Sequence, residues 1–459
     1  MRLPPLPPTE DQVWADTDPR RRLALLSLAD TVVDDYRPWR ETRFREPPAV
    51  LQSRFLELLA QIGTDLRPLT TAEWWWLLHH SRLVQARRLP TLTTINGDSL
   101  RFCLPDTLLA QVDVLSSQLS GNRDPASTVA TSTQRERFLR TALEEEAITS
   151  SQLEGAATTR QVAKQMLRTG RKPRTHSEQM IANNFAAMQR VREMSELPLS
   201  PDLVRELHAI VTAGTLDDPR DAGRLQTDAD RRVVVQDAHD GDIVHRPPPA
   251  HELPGRLERL CEFANSTDGP YLPGILRAVT IHFMTSYDHY FVDGNGRTAR
   301  TLFYWSMLRQ GYWLAEYLTV STILRKAPSQ YMRSFLDVEQ DAGDLTYFYI
   351  YHVGVLRRAV AGLNDYLDRV TQDRRAVHDR LRLADQLNPR QVAVIADALD
   401  DPRHQFTAHE LAARFSVTEQ TGRDDLADME RRGLMVRSRI GHHYAWTATM
   451  PGLPTDDLA

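Results

Sequence analysis

Cysteine is nearly absent: the 459 residues hold two, Cys103 and Cys261, in apolar surroundings and without a CxxC partner. That argues against a disulfide scaffold and a cysteine-ligated zinc site, and leaves reduced, buried thiols. Long apolar runs are missing too. No stretch approaches the roughly 18 uninterrupted apolar residues of a membrane helix, and the opening MRLPPLPPTE lacks the apolar core of a secretory signal. The sequence therefore predicts a cytoplasmic protein with no membrane partner. Net charge is small: 56 Lys and Arg against 61 Asp and Glu leave −5, so any polyanion site must be local. Glycine (21) and proline (27) are too few for a fibrous or mainly disordered chain. What remains, 41% apolar and 25% charged, is a globular composition, and the length suits about three domains.

Apolar residues recur at 3–4 spacing over residues 134–149, 178–194, 201–212, 253–264, 274–288, 299–309 and 345–368. Each is the length of an ordinary helix, so the fold class is mainly α. Residues 232–236 (RVVVQ) and 242–245 have strand character around the polar turn 237–241, and read as a hairpin. Pro247, Pro248 and Pro249 must stop its second strand or hold it at an edge. A Ser-, Thr-, Gly- and Pro-rich stretch over 120–132 sets off an N-terminal helical region, 1–125. A second boundary falls near 385, before Leu387, Asn388 and Pro389. Trp74, Trp75 and Trp76 are adjacent, so on a helix they point in different directions and read as core packing.

Residues 289–300, HYFVDGNGRTAR, lie between two apolar-periodic helices and gather several phosphate-handling parts. Gly294 and Gly296 permit backbone conformations that turn successive amides inward as an anion nest. The helix beginning near Arg297 aims its unpaired N–H groups and positive dipole end at the same spot. Arg297 and Arg300, three apart, can project from one side of that first turn and fork onto phosphate oxygens. Asp293 offers a hard carboxylate oxygen suited to Mg²⁺. His289, at the end of the preceding helix, has an imidazole able to take a proton from an incoming hydroxyl.

This segment resembles HxFxDGNGRxxR, the signature of Fic-domain proteins, which transfer a nucleotide monophosphate, most often AMP from ATP, onto a hydroxyl side chain. The resemblance implies a Fic helical core with a β-hairpin flap over residues 126–385. It makes His289 the general base, Asp293 the Mg²⁺ ligand, and Gly294, Asn295, Gly296, Arg297 and Arg300 the triphosphate cradle. ATP and Mg²⁺ become the expected cofactors. The commoner form has Pro after the histidine and Gly before the last Arg; here Tyr290 and Ala299 stand there, as packing variants. The hairpin at about 231–249 resembles the family's flap, whose edge pairs with the target segment. Tyr331, in QYMRSFLDVE, falls where the family contacts the base, with core packing as the other reading.

Upstream, EEEAITSSQLEGAATT (144–159) puts Ser150 and Glu154 on one helix face, with Gly155 ending the helix. This resembles the (S/T)xxxE(G/N) inhibitory helix of Fic proteins, here at about 136–155, N-terminal to the motif as in the second class. Ser150 would orient Glu154, which would pair in bidentate fashion with Arg300, taking the fork that a γ-phosphate needs. The implied activity is protein AMPylation of a Ser, Thr or Tyr hydroxyl, on a protein target or the chain itself, autoinhibited by Glu154. De-AMPylation at the same site and nucleotide-sensing DNA regulation are the alternatives.

Residues 386–459 read as a winged helix-turn-helix: a short helix from 407, a turn at 415–417, a second helix through 429, then strands at 434–439 and 443–446. Across 387–448 there are 8 Arg and no Lys against 9 acids, poor for a strong DNA binder, although 431–443 is basic throughout. Weak DNA contact and dimerisation or target docking both stay open, as does a homodimer. Residues 160–174 carry six basic residues and no acid, and read as a solvated face.

Overall fold

The computed structural model describes residues 5–15, 17–120, 132–230, 232, 235–236, 243–383, 387–400, 404–440 and 443–449. It is mainly helical. The chain opens with α1 (Glu10–Trp14), α2 (Pro19–Leu26), α3 (Trp39–Thr42), α4 (Ala49–Ile62) and α5 (Thr71–Gln85). An antiparallel hairpin, β1 (Arg87–Thr93) and β2 (Ser99–Phe102), and α6 (Asp106–Leu119) follow. Next come α7 (Ser132–Leu153), α8 (Arg160–Thr169), α9 (His176–Met194) and α10 (Pro201–Thr212), then the short pair β3 (Val235–Gln236) and β4 (Ile243–His245). Helices α11 (Leu253–Asn265), α12 (Gly274–Asp288), α13 (Asn295–Arg309), α14 (Val320–Lys326), α15 (Pro328–Gln340) and α16 (Thr346–Leu383) lead to α17 (Pro389–Asp400), α18 (Ala408–Phe415) and α19 (Glu419–Arg431). The antiparallel pair β5 (Met435–Ile440) and β6 (His443–Ala448) ends the described chain.

The described residues fall into two compact units, Met1–Arg123 with Leu139–Gly362, and Asp124–Phe138 with Leu363–Ala459. The boundaries expected near 125 and 385, and the flap turn 237–241, lie outside the described residues.

In the first unit the core is built on α13. Twelve of its side chains are buried, and it packs on α12, α9 and α10. A helix buried on most of its circumference needs apolar residues all round, and Leu302, Phe303, Tyr304, Trp305 and Met307 supply them. The helices packed on it have local start signals: Thr175 and Ser200 cap α9 and α10 through side-chain oxygens, with Pro201 pre-set for the first turn of α10. Trp74, Trp75 and Trp76 are all buried, Trp74 and Trp76 in a cluster with Leu25, Leu51, Phe55 and Leu59. Both cysteines are free and buried. In the second unit α17, α18, α19 and the β5–β6 pair enclose Val394, Leu411, Leu426, Met429 and Trp446. Among the described residues no helix is long and apolar enough to cross a membrane.

Candidate active site

Helix α12 ends at His289, whose φ of 52° is left-handed, a conformation that costs a non-glycine residue energy and must be held by its surroundings. Arg232, from the flap segment, does the holding. Its Nη1 donates to the His289 carbonyl (2.8 Å), and its Nη2 to the carbonyls of Asp288 (3.0 Å) and Pro248 (2.8 Å). A guanidinium thus caps the end of α12, where unpaired carbonyls and the negative dipole end favour a cation. Asp288 is buried below, bonded by Arg256 Nε (2.8 Å) and by the Tyr290 hydroxyl (2.7 Å). Tyr290 therefore uses its departure from the usual proline as a second tether.

His289 Nδ1 lies 3.3 Å from the Ser286 carbonyl, which only accepts, so the proton sits on Nδ1 and Nε2 is bare. Burial pushes this imidazole down to about 4, with help from His245 and Arg232 and against the Ser286 carbonyl and Glu154, while one edge of the residue stays accessible. At neutral pH it is an uncharged base.

The loop 291–294 then turns into α13. Asn295 closes it on itself, accepting from Phe291 N–H (2.9 Å) and donating to the Phe291 carbonyl (2.7 Å), so its side chain is spent inside the loop. Gly294, with φ of 78°, is required twice over: a side chain there would be strained, and its Cβ would lie 2.6 Å from a Thr212 methyl. No side chain caps α13, and its first backbone bond runs from Thr298 N–H to Gly294 O (3.0 Å), which leaves the preceding amides for an anion.

The two arginines expected to fork together diverge. Arg297 is buried against α10, its Nη1 on the Val211 carbonyl (3.1 Å) and its Nη2 on Asp293 (3.2 Å). Its buried Nε has no hydrogen-bond partner among the described residues. Arg300 faces α7: Nε donates to Ser150 Oγ (2.8 Å), and Nη2 to the Ser150 carbonyl (3.0 Å) and to Glu154 Oε1 (2.8 Å). The pair with Glu154 is thus made by one nitrogen instead of two, and the Ser150 hydroxyl steadies the arginine rather than the carboxylate. The Glu154 carboxylate also lies so close to Gly296 that a Cβ at position 296 would strike it.

Helix α7 is held by three adjacent glutamates that reach two neighbouring helices, α8 and α14. Glu146 is buried and accepts from Ser321 N–H (3.0 Å) and the Ser321 hydroxyl. Glu144 receives Arg140 and Arg168 (3.3 and 3.1 Å), and Glu145 receives Arg160 and Lys164 (2.7 and 2.8 Å). Four of the six basic residues in 160–174 are ion-paired, since Arg171 also pairs with Glu178, yet Arg160, Arg168, Lys172 and Arg174 are exposed, so the expected solvated face also carries inter-helix ion pairs.

Tyr331 is buried, its hydroxyl paired with His282 Nε2 (2.8 Å) among the rings of Phe335, Tyr351 and His352. Core packing describes it, and burial drives its phenol up to about 12.

The residues present fit a Mg²⁺-nucleotide. The Asp293 carboxylate is 58% exposed and, among the described residues, pairs with Arg297 alone, which leaves it open to a cation. Among the described residues no group of three His, Cys, Asp or Glu side chains gathers as a metal site, so phosphate and water oxygens would complete the shell, the usual manner of Mg²⁺.

The sequence model of the Fic/DOC family matches residues 198–307, from the residues leading into α10 through most of α13. The family's proteins generally transfer AMP or other nucleotide-derived groups to proteins. Among solved structures, a Fic family protein from Desulfovibrio desulfuricans G20 is similar at 20% identity and a TM-score of 0.50, over 76% of this chain and 98% of that one. Fic-1 (residues 134–508) from C. elegans matches at 17% identity and 0.46, over 79% and 92%. A Fic domain containing signaling protein from Bacteroides thetaiotaomicron VPI-5482 matches at 19% and 0.45, over 55% and 94%. The chain is thus a mainly helical protein with the Fic helical fold.

Proposed function

We propose that this protein is a Fic-type protein adenylyltransferase that moves AMP from ATP to a Ser, Thr or Tyr hydroxyl, on a target protein or on its own chain, and that Glu154 holds it off. The observation that carries this reading is the Glu154 carboxylate itself. It takes Arg300 and presses on the Gly296 turn, where a triphosphate would need the same cation and amides.

In the reaction so read, His289 Nε2 accepts the proton of the target hydroxyl as that oxygen attacks the α-phosphorus. The bond from the α-phosphorus to the bridging oxygen breaks and pyrophosphate leaves. The first-turn amides of α13 and Arg300, freed from Glu154, hold the phosphates in line. Asp293 would hold a divalent cation, which would supply charge neutralisation to the phosphates. The β3–β4 pair offers a backbone edge on which the target segment could lie. Helices α17–α19 with β5 and β6 we read as a winged helix that docks protein.

The test incubates wild type, Glu154→Gly and Glu154→Gly/His289→Ala with Mg²⁺ and α-labelled ATP, read by gel and intact mass. Label on the single mutant alone is expected. No label on any of the three would refute the reading.

A further inference from the structure

Helix α10 carries no residue of the twelve-residue motif, yet it forms the floor of the loop. Thr212 fills the space that a Cβ on Gly294 would occupy, the Val211 carbonyl takes Arg297, and His208, one turn earlier, reaches the Asp293 backbone. His208 is completely buried. Its Nδ1 accepts the Gly223 N–H (2.9 Å), and a nitrogen that accepts is unprotonated, so the proton is on Nε2. Nε2–H then donates to the Asp293 carbonyl (2.9 Å). The ring lies parallel to Phe291 at 3.7 Å between centroids, which stops it tilting and fixes the direction of that donation.

Asp293 needs such an anchor. Its side chain is mostly exposed, the glycine that follows adds no side-chain restraint, and among the described residues its carboxylate meets only Arg297, at 3.2 Å. The place of the carboxylate is therefore set from the backbone, which His208 holds at the Asp293 carbonyl itself.

Resting on the proposed function, we infer that His208 is a positioning residue for cation binding: by holding the Asp293 carbonyl it fixes where the Asp293 carboxylate meets the metal of the metal-nucleotide. Groups that orient a metal-ligating residue from behind typically cost about 10–100-fold in metal affinity when removed. Glutamine places its amide nitrogen where Nε2 lies, and asparagine places its amide where Nδ1 lies. His208→Gln therefore keeps the donation to Asp293, and His208→Asn keeps only the contact with Gly223.

The experiment uses the full chain with Glu154→Gly and titrates Mn²⁺ against ATP binding by calorimetry, with melting temperature measured alongside. His208→Asn should raise the half-saturating Mn²⁺ about tenfold, and His208→Gln should bring it back to within about threefold of the parent. A purely structural role would lower the melting temperature of both variants and leave their Mn²⁺ half-saturation alike, which would overturn the inference. A parent that binds no ATP at any Mn²⁺ concentration would instead sink the proposed function, and this inference with it.

Discussion

Glu154 and Gly296 share one space: the carboxylate of the first occupies the volume in which a side chain on the second would have to lie. The two residues are therefore matched to each other in shape, although they are 142 positions apart.

Charge and bulk at position 154 act separately. Glu154→Gln keeps the shape but loses the charge that strengthens the bond to Arg300, whereas Glu154→Gly removes both. The expected order of AMP transfer is Glu154→Gly, then Glu154→Gln, then wild type, with at least tenfold between the ends, on the order of the 1.4 kcal/mol that separates a decade in rate. Initial rates of label incorporation check it; an isosteric variant as fast as the glycine variant would show that charge alone inhibits.

Ser150→Ala removes the acceptor of Arg300 Nε and leaves a buried donor unpaired. Such a loss costs about 1–3 kcal/mol. The wild-type chain should melt several degrees higher than this variant by calorimetry, and an unchanged melting temperature would mean that Arg300 finds another partner.

Acid should destabilise this fold through buried histidines. Burial holds His208 at about 4 and His352 at about 3, both below the ordinary 6.5. Between about 6.5 and 3 the unfolded chain binds more protons than the folded one, so stability rises with pH across that window and is lost as pH falls through it. His289, also near 4, stays neutral from pH 8 down to 6, so the transfer rate should be flat over that span apart from unfolding. Melting temperature and initial rate against pH test both halves.

The grip of α8 on α7 is uneven. The Glu144 side chain is 1% exposed and Glu145 12%; of the cations facing them, Arg140, Arg160 and Arg168 are 54%, 65% and 41% exposed and Lys164 22%. Breaking a buried pair costs about 3–5 kcal/mol, an exposed one about 0–1. Glu144→Gln should therefore lower the urea midpoint clearly more than Glu145→Gln. Equal shifts would contradict the burial argument.

Helix α19 exposes Glu419, Gln420, Arg423 and Asp424 at its beginning, one cation against two acids. A helix that entered a DNA groove this way would meet phosphate repulsion. No salt-dependent shift of duplex DNA is expected in gels near 50 mM salt; a shift lost on replacing Arg437 and Arg439 would reverse this.

The sequence exposes what is contiguous or periodic. The loop 289–300 is readable because its glycines, aspartate and arginines follow one another, and Glu154 because it lies one turn from Ser150. His208 is silent: its partners, Gly223 and Asp293, are 15 and 85 residues away, and between Leu207 and Val211 it looks like part of an ordinary amphipathic helix. Arg232 reads as a strand residue and in space caps α12. Arg297 and Arg300 have the spacing of a fork, but the packing of α13 on α10 draws Arg297 inward. The β1–β2 hairpin escapes because Pro90 interrupts its first strand, although Asn96 and Gly97 mark the turn.

Helix α7 also works as a ruler. It is nailed at Glu146 on Ser321 and acts at Glu154 on Arg300, eight residues or about 12 Å further on. Inserting one residue directly after Glu146 would swing the acid about 100° around the axis, and Ser150 with it, while Glu144, Glu145 and Glu146 keep their partners. What this chain must inherit unchanged, then, is a count of residues more than the strength of any single bond.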